Sequence, residues 1–449
     1  MATFAVWFLG NYEEIINNIK NRTKKISSEK VRRYLFDVEI VLLLIISFIS
    51  VGVSGFSNNA FGIWKAYFFE PLLFYIILFN VFGAKKEGEE NSFSLIFSQI
   101  IWSLTIASFL ISVFAVYQKF TGNFIANPFW SAETTRRVVS VFSYPNALGL
   151  YLAPLVLLMI GKLLSALSVY ILPRPAGEGW GEGASRKKII KIILLLTTII
   201  LSLLSIQFAH SEGAIVGISA GLIMFGLLFG KKTRLATLGF LAIAFIVIFA
   251  NINLRDKFIE KATLSDFSGE VRKQQWRETW KVLTESPQRF ILGAGLDNYQ
   301  KAVKPYHQEG IFFNKDNDPD FRRKLVLFNN EYKMKYWQPV EIYMYPHNIF
   351  LNFWSELGLA GALLFVWIIA KFYYIGFRQL FQNSKLKIKN SGSNAKESYL
   401  IIALLCTMTA IVVHGAVDVP YFKNDLSVMF WVIIALMGMS NLINNKEIK

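Results

Sequence analysis

Residues 344–361 read Met344-Tyr345-Pro346-His347-Asn348-Ile349-Phe350-Leu351-Asn352-Phe353-Trp354-Ser355-Glu356-Leu357-Gly358-Leu359-Ala360-Gly361, and the apolar run continues to about Phe377. Pro346 is suited to the first turn of a helix, so His347 is expected at the water-facing mouth of a membrane span. At helical spacing Asn348, Asn352, Ser355 and Glu356 fall on one stripe, and Leu351, Trp354, Gly358 and Gly361 on another. A polar stripe ending in a carboxylate is costly against lipid, so it is expected to line a protein-enclosed cavity. The two glycines are expected to let a neighbouring helix approach closely. A histidine that merely caps a span above packing glycines is the plainer reading of the same residues.

Working outward, the chain has 449 residues of which 54% are hydrophobic, arranged in repeated apolar runs of membrane-spanning length. This predicts an all-α polytopic membrane protein with about ten spans, near 35–54, 62–83, 95–117, 146–170, 189–208, 213–230, 235–252, 347–376, 398–417 and 425–443. The net charge of +16 gathers before Tyr34, at Lys85-Lys86, at Arg186-Lys187-Lys188, at Lys231-Lys232-Arg234, between Arg378 and Lys396, and at the C-terminus. The alternate connections carry few cations, chiefly Lys119, Arg136, Arg137 and Lys423. That is the positive-inside pattern, which makes both termini cytoplasmic and removes any need for a nucleic-acid partner. The single cysteine, Cys406, lies in an apolar run, so no disulfide framework or thiolate metal cluster is available.

The chain therefore divides into a cytoplasmic segment 1–33 with the makings of an interfacial helix, a first bundle 34–252, a large external loop 253–346, a second bundle 347–443 and a tail 444–449. No cleavable signal peptide is expected, because the first long apolar run starts only near Val38. The Gly/Pro-rich stretch Leu172 to Lys188 has no helical period and reads as a cytoplasmic linker. Short helices are expected in the external loop. One should begin near Ser268, a candidate N-cap, and end at Ser286-Pro287, with Arg272, Trp276, Trp280 and Leu283 on one face. An arginine on an aromatic face is either a snorkelling stem or a charge held for an anion.

His347-Asn348, nine residues, Gly358, two residues, Gly361 resembles the signature of the O-antigen ligase and O-antigen polymerase superfamily of bacterial membrane glycosyltransferases. Two further segments are similar to that family's pattern, in the same order along the chain. Arg272, Trp276 and Pro287 lead into Gly293-Ala294-Gly295-Leu296-Asp297-Asn298-Tyr299, and Arg137 leads into Ser143-Tyr144-Pro145-Asn146. The sequence departs from the ligase-like members at His210-Ser211-Glu212-Gly213, where an arginine is expected in a Ser-Arg-Gly context. Glu212 does not take over that role; Arg136, Arg137 and Arg277 are the candidates to supply the charge.

The resemblance implies transfer of a glycan from a polyprenyl-diphosphate lipid to an acceptor hydroxyl at the outer face of the bacterial cytoplasmic membrane, without a metal or other cofactor and with inversion at the anomeric carbon. The implied partners are membrane lipids, the lipid-linked glycan, and an acceptor glycan, lipid or protein. A diphosphate leaving group needs fixed guanidinium donors, which Arg272 and Arg136 or Arg137 can provide. His347 is the expected general base. Asn146, Arg277, Asn348 and Glu356 are expected to help hold the donor, with His414, Asp418, His210, Glu212, Gly358 and Gly361 in support. His414 and Asp418, four apart, are expected to face one cavity, or simply to bond each other. Asp316-Asn317-Asp318-Pro319-Asp320 imitates a calcium loop but has Phe321 where glycine is needed and reads as a solvated turn. Glu70, inside a span, is expected to pair with Lys65. A polymerase of the same superfamily is the nearest alternative. A transporter or lipid-linked sugar flippase is the rival from another class, but no internal repeat supports it. Nor does any metal-ligand spacing favour a metal-dependent hydrolase.

Overall fold

A computed structural model describes residues 35–83, 93–171, 186–327, 330–386 and 393–447. The segment 1–33, the Lys85-Lys86 pair and residues 172–185 of the linker lie outside the described residues. Helix α1 is Asp37–Val53 and α2 is Asn58–Val81, which widens into a π-turn at Lys65–Phe69. The other long helices of the first bundle are α3 (Phe93–Thr121), α4 (Pro145–Ile171), α5 (Arg186–Phe208), α6 (Glu212–Phe229) and α7 (Lys231–Ala250). Arg186 to Lys188, read as the end of the linker, already belong to α5. A short helix α8 (Ile252–Ala262) leads to α9 (Phe267–Thr284) and α10 (Pro287–Leu292). The chain then returns through α11 (Ile349–Leu386), α12 (Ser393–Gly415) and α13 (Asn424–Glu447), so helix continues into the expected tail.

Among the described residues nine helices are long and apolar enough to cross a membrane. The tenth expected span, α1, has 17 residues, about 26 Å at 1.5 Å per residue, which is at the lower limit for crossing. Successive long helices alternate in direction. The C-terminal ends of α1, α3, α5, α7 and α12 therefore meet the N-terminal ends of α2, α4, α6, α11 and α13 at one end of the bundle, called the site end below.

The core is held at two kinds of contact. Around α13, Phe353, Phe365, Tyr421, Phe430 and Trp431 form an almost fully buried aromatic cluster. Between α6 and α12 the backbones nearly touch. A Cβ added at Gly217 would lie 2.9 Å from the Ala410 carbonyl, and one at Gly221 3.0 Å from that of Cys406. Gly213, Gly217 and Gly221, spaced by four, thus form the small-residue face that close helix packing in a membrane requires. By contrast, α7 buries none of its apolar window and turns Phe240, Ile243, Phe245 and Ile246 outward.

The motif glycines of α11 do something other than what spacing suggested. Gly358 has φ +76° and ψ −179°, which breaks α11, and a Cβ there would come within 2.3 Å of the Ile291 carbonyl oxygen. Its neighbour is the end of the short α10 rather than a membrane helix, and only glycine adopts that backbone without strain. Gly361 faces its own helix, where a Cβ would meet Leu357 at 2.3 Å. The expectation of helix–helix packing through these two glycines is corrected accordingly.

The segment between α7 and α11 holds more than short helices. Gly310–Phe312 pairs antiparallel with Trp337–Pro339, Ile311 opposite Gln338. Helix α9 starts one residue after Asp266, not at Ser268; Ser268 sits in its first turn and accepts a hydrogen bond from Arg272. The acidic turn is neutralised by basic and phenolic partners. Asp318 bonds Lys324 (2.6 Å) and Tyr332 (2.7 Å), and Asp316 bonds Lys335 and Tyr336. Lys65 and Glu70 do pair, at 3.7 Å across the π-turn, and Asn424 also donates to Glu70.

Candidate active site

At the site end α12 stops at Gly415 and residues 416–418 run out as a loop. Three separate parts of the chain are tied to this loop. The Asn348 amide donates to the Ala416 carbonyl at 3.0 Å, and Arg272 Nε donates to the Val417 carbonyl at 2.9 Å. Asn146 Nδ2 donates to the Asp418 carboxylate at 3.3 Å, while Arg137 Nη2 donates to Asn146 Oδ1 at 3.2 Å. The three sequence segments singled out by motif, far apart in the chain, thus converge on one short stretch of backbone. Two of these ties, at Ala416 and Val417, go to carbonyl oxygens that every residue carries, so only Asp418, held through its carboxylate, could be singled out from the sequence.

His347 stands beside this junction. Asn348 caps α11 by accepting from the Phe350 and Leu351 N–H groups, both at 3.0 Å, which fixes the helix start directly behind the histidine. His347 itself has φ +46°, a sparsely populated conformation for a residue with a Cβ, held by its surroundings. Its ring lies edge-on to Tyr343 and Tyr345, with centroids 5.0 and 5.4 Å away. Nδ1 is 2.9 Å from Gln275 Oε1, one turn of α9 beyond Arg272. Burial lowers the imidazole pKa from its ordinary value; nearby Asp418 opposes the shift and Arg272 adds to it. A neutral imidazole with an open nitrogen can accept a proton.

The arginines divide by what holds them. Arg272 spends Nε on Val417 and one Nη1 hydrogen on Ser268 Oγ (2.7 Å), leaving Nη2 outside these bonds. Arg137 donates from Nε to the Ala209 carbonyl (3.0 Å), with Nη1 outside the bonds to Asn146 and His210. Burial draws its pKa down, and Glu212 acts the other way. Arg136 is anchored to the carbonyls of Ser131, Lys119 and Phe120, which makes it a brace for the 122–144 connection. Arg277 is exposed on α9.

The remaining candidates are dispersed. Glu212, at the position where an arginine was expected, pairs with Lys261 of α8 at 2.8 Å, and Lys261 also reaches Asp266. His210, at φ +52°, offers its carbonyl to Arg137. His414 is buried against Gly213, where a Cβ would approach its ring to 2.5 Å. Because α12 ends at Gly415, His414 and Asp418 are not related by a helical turn, and the Asp418 carboxylate is taken by Asn146 and the Val419 N–H. Glu356 is buried as expected, together with Asn352 and Ser355. Its partner is the backbone N–H of Asp297 (3.0 Å), beside a cavity of about 50 Å³ that Asn352 and Tyr345 also line.

That contact explains the Gly293 to Asn298 motif. Ala294 N–H donates to the Ser355 carbonyl at 2.6 Å, and Leu296 N–H to Ser50 Oγ at 2.9 Å. Gly295, at φ +90°, lets the loop pass within 2.7 Å of Ser54 N as measured from an added Cβ. This loop locks α10 into the break at Gly358 and so sets α9 over the mouth of α11. Two residues escaped the sequence reading: Gln275, a polar residue on a polar helix, and Tyr144, whose hydroxyl is 2.7 Å from that of Tyr345 and ties the connection before α4 to the one before α11. Tyr144 lay inside a recognised motif, so its signal was available.

A family model described as O-antigen ligase matches residues 197–366, which span α5 to the first half of α11 and include Arg272, Gln275, His347 and Gly358. No curated protein matches the chain.

Proposed function

We propose that this chain, whose residues 197–366 match the O-antigen ligase family model, acts as a member of the O-antigen ligase/polymerase superfamily and transfers a glycan from a polyprenyl-diphosphate lipid to an acceptor hydroxyl at the outer face of the bacterial cytoplasmic membrane. The family's coarser role, ligase or polymerase chemistry in polysaccharide assembly, follows from the match itself. The finer reading rests on one observation: Arg272, the Arg137–Asn146 pair and the Asn348 cap behind His347 all attach to residues 416–418.

In this reading the glycan's anomeric carbon lies between two functions. His347 takes the proton from the acceptor hydroxyl as that oxygen forms the new glycosidic bond. The bond from the anomeric carbon to the diphosphate oxygen breaks, and the electron pair leaves with the diphosphate. Arg272 and Arg137 meet the developing charge, since guanidinium groups stay protonated and donate two hydrogen bonds to phosphate oxygens. Both are fixed beforehand by backbone carbonyls, so little reorganisation is needed during reaction. Ligation to a finished acceptor and extension of a growing chain use the same bond changes and differ in the acceptor.

We also propose that the chain's own cations replace a metal ion here. The test is transfer by the purified protein in lipid vesicles, from a synthetic lipid-diphosphate glycan, with and without a strong chelator. Transfer that persists in chelator supports the reading. Transfer lost in chelator and restored by a divalent ion contradicts it.

A further inference from the structure

We propose that Gln275 is a positioning residue that fixes the tautomer of His347, presenting Nε2 as the proton acceptor. This inference rests on the transferase reading above and deepens it. Gln275 lies on α9 one turn past Arg272, 4% exposed, and its Oε1 is 2.9 Å from His347 Nδ1. An amide oxygen only accepts, so the contact is a hydrogen bond only when Nδ1 carries the proton. The neutral imidazole then has its lone pair on Nε2.

Two observations favour a working contact over incidental packing. The amide Nε2 of Gln275 is buried with no partner among the described residues. A buried donor left unpaired is costly, and a leucine of similar size would avoid that cost. The histidine it meets has positive φ, so the backbone is held in a disfavoured conformation that brings the ring to this glutamine. The charged and titratable groups facing the ring are Arg272 from α9, Asp418 from the 416–418 loop, and the Tyr343 and Tyr345 phenols that flank it. Among the described residues none of these bonds Nδ1, and Gln275 is the group placed to set the tautomer. The role parallels that of the group orienting the catalytic histidine in acyl-transfer sites, with a neutral amide in place of a carboxylate.

The chain has four histidines, which makes the tautomer directly observable. The full chain, with ¹⁵N-labelled histidine and reconstituted in lipid at pH 8, yields four pairs of ring-nitrogen signals, and His347→Gln deletes one pair and so assigns it. The expected wild-type signature is a protonated Nδ1 and an unprotonated Nε2. Gln275→Leu should shift His347 toward the opposite tautomer and lower transfer on the order of 10–100-fold. Gln275→Glu should restore the wild-type tautomer and part of the transfer. Its added charge stabilises the imidazolium, so the acid limb of the pH profile should move to higher pH.

A protonated Nε2 in the wild type overturns the proposal, because the amide must then be donating to Nδ1. An unchanged tautomer and pH profile in Gln275→Leu also overturns it. The tautomer readout does not depend on activity. If the tautomer behaves as expected while His347→Gln retains full transfer, it is the transferase reading that fails.

Discussion

Gly358→Ala should destabilise the protein by several kcal/mol, and the reason can be worked from its surroundings. At φ +76° and ψ −179° the residue occupies a region essentially confined to glycine, so alanine costs about 1–3 kcal/mol in backbone strain. Its Cβ would also stand 2.3 Å from the Ile291 carbonyl oxygen and 2.8 Å from the Leu292 carbonyl carbon. These are backbone atoms that cannot rotate away, so α10 must shift, at about 1–3 kcal/mol for overpacking. The shift endangers the Ala294 N–H bond to Ser355 and the Trp354 indole bond to Phe290, at 2.6 and 2.8 Å. The sum is about 2–6 kcal/mol, a large share of the 5–15 kcal/mol typical of folded proteins. Unfolding can be followed through Cys406, the single cysteine and fully buried, by its reactivity with a fluorogenic maleimide during a thermal ramp. Gly239→Ala is the control, since an added Cβ there meets nothing within 4 Å. A Gly358→Ala protein that exposes Cys406 at the wild-type temperature would refute the reasoning and return this glycine to ordinary helix packing.

Further outcomes follow from the same geometry. Burial holds the His347 imidazole below its ordinary value of 6.5; as a base it works when neutral, so transfer should be lost only as pH falls through that lowered value. A pH–rate profile whose acid midpoint lies above 6.5 would contradict this. Arg272→Lys should fold but lose transfer on the order of 10–100-fold, since a point charge cannot replace the fork that holds Val417 while meeting the donor. Arg136→Lys, altered at a guanidinium bound to three backbone carbonyls away from the 416–418 loop, should lose less; equal losses in a transfer assay would show that the two arginines do not differ in role. A reporter inserted at Asn317 should read external and one fused after Lys231 cytoplasmic, from the Lys/Arg distribution; an internal reading at Asn317 would put His347 on the wrong face.

Much of the fold is legible because membrane helices advertise themselves by length and apolarity, although α11 begins only at Ile349, so Pro346 lies before the helix instead of in its first turn and Asn348 caps it instead of lying on its polar stripe. The Lys65–Glu70 pair is equally local. What escaped is what depends on partners far away in the chain. Gly358 looks like a packing glycine because spacing alone cannot reveal a positive φ, which goes with the end of α10 docked there, and Gly361 because spacing cannot show that it faces its own Leu357. The packing glycines are instead Gly213, Gly217 and Gly221, whose spacing of four was readable and whose partner α12 was not. Asp418 was found, yet its relation to His414 was misjudged because a helix was assumed to continue past Gly415. Gln275 has no local signature at all: it is a glutamine next to another glutamine, distinguished only by a histidine 72 residues later. The convergence on residues 416–418 uses the backbone oxygens of Ala416 and Val417, to which side-chain motifs are blind, beside the Asp418 carboxylate.

The central claim, that His347 is the base of a glycan transfer, is tested most directly by His347→Gln in vesicles supplied with a lipid-diphosphate glycan and an acceptor. Glutamine keeps polarity and approximate size but cannot accept the proton at this pH. The account predicts normal amounts of folded protein in the membrane and a loss of transfer on the order of 10²–10⁴-fold. Near-normal transfer would contradict it and reduce His347 to the residue that opens the span.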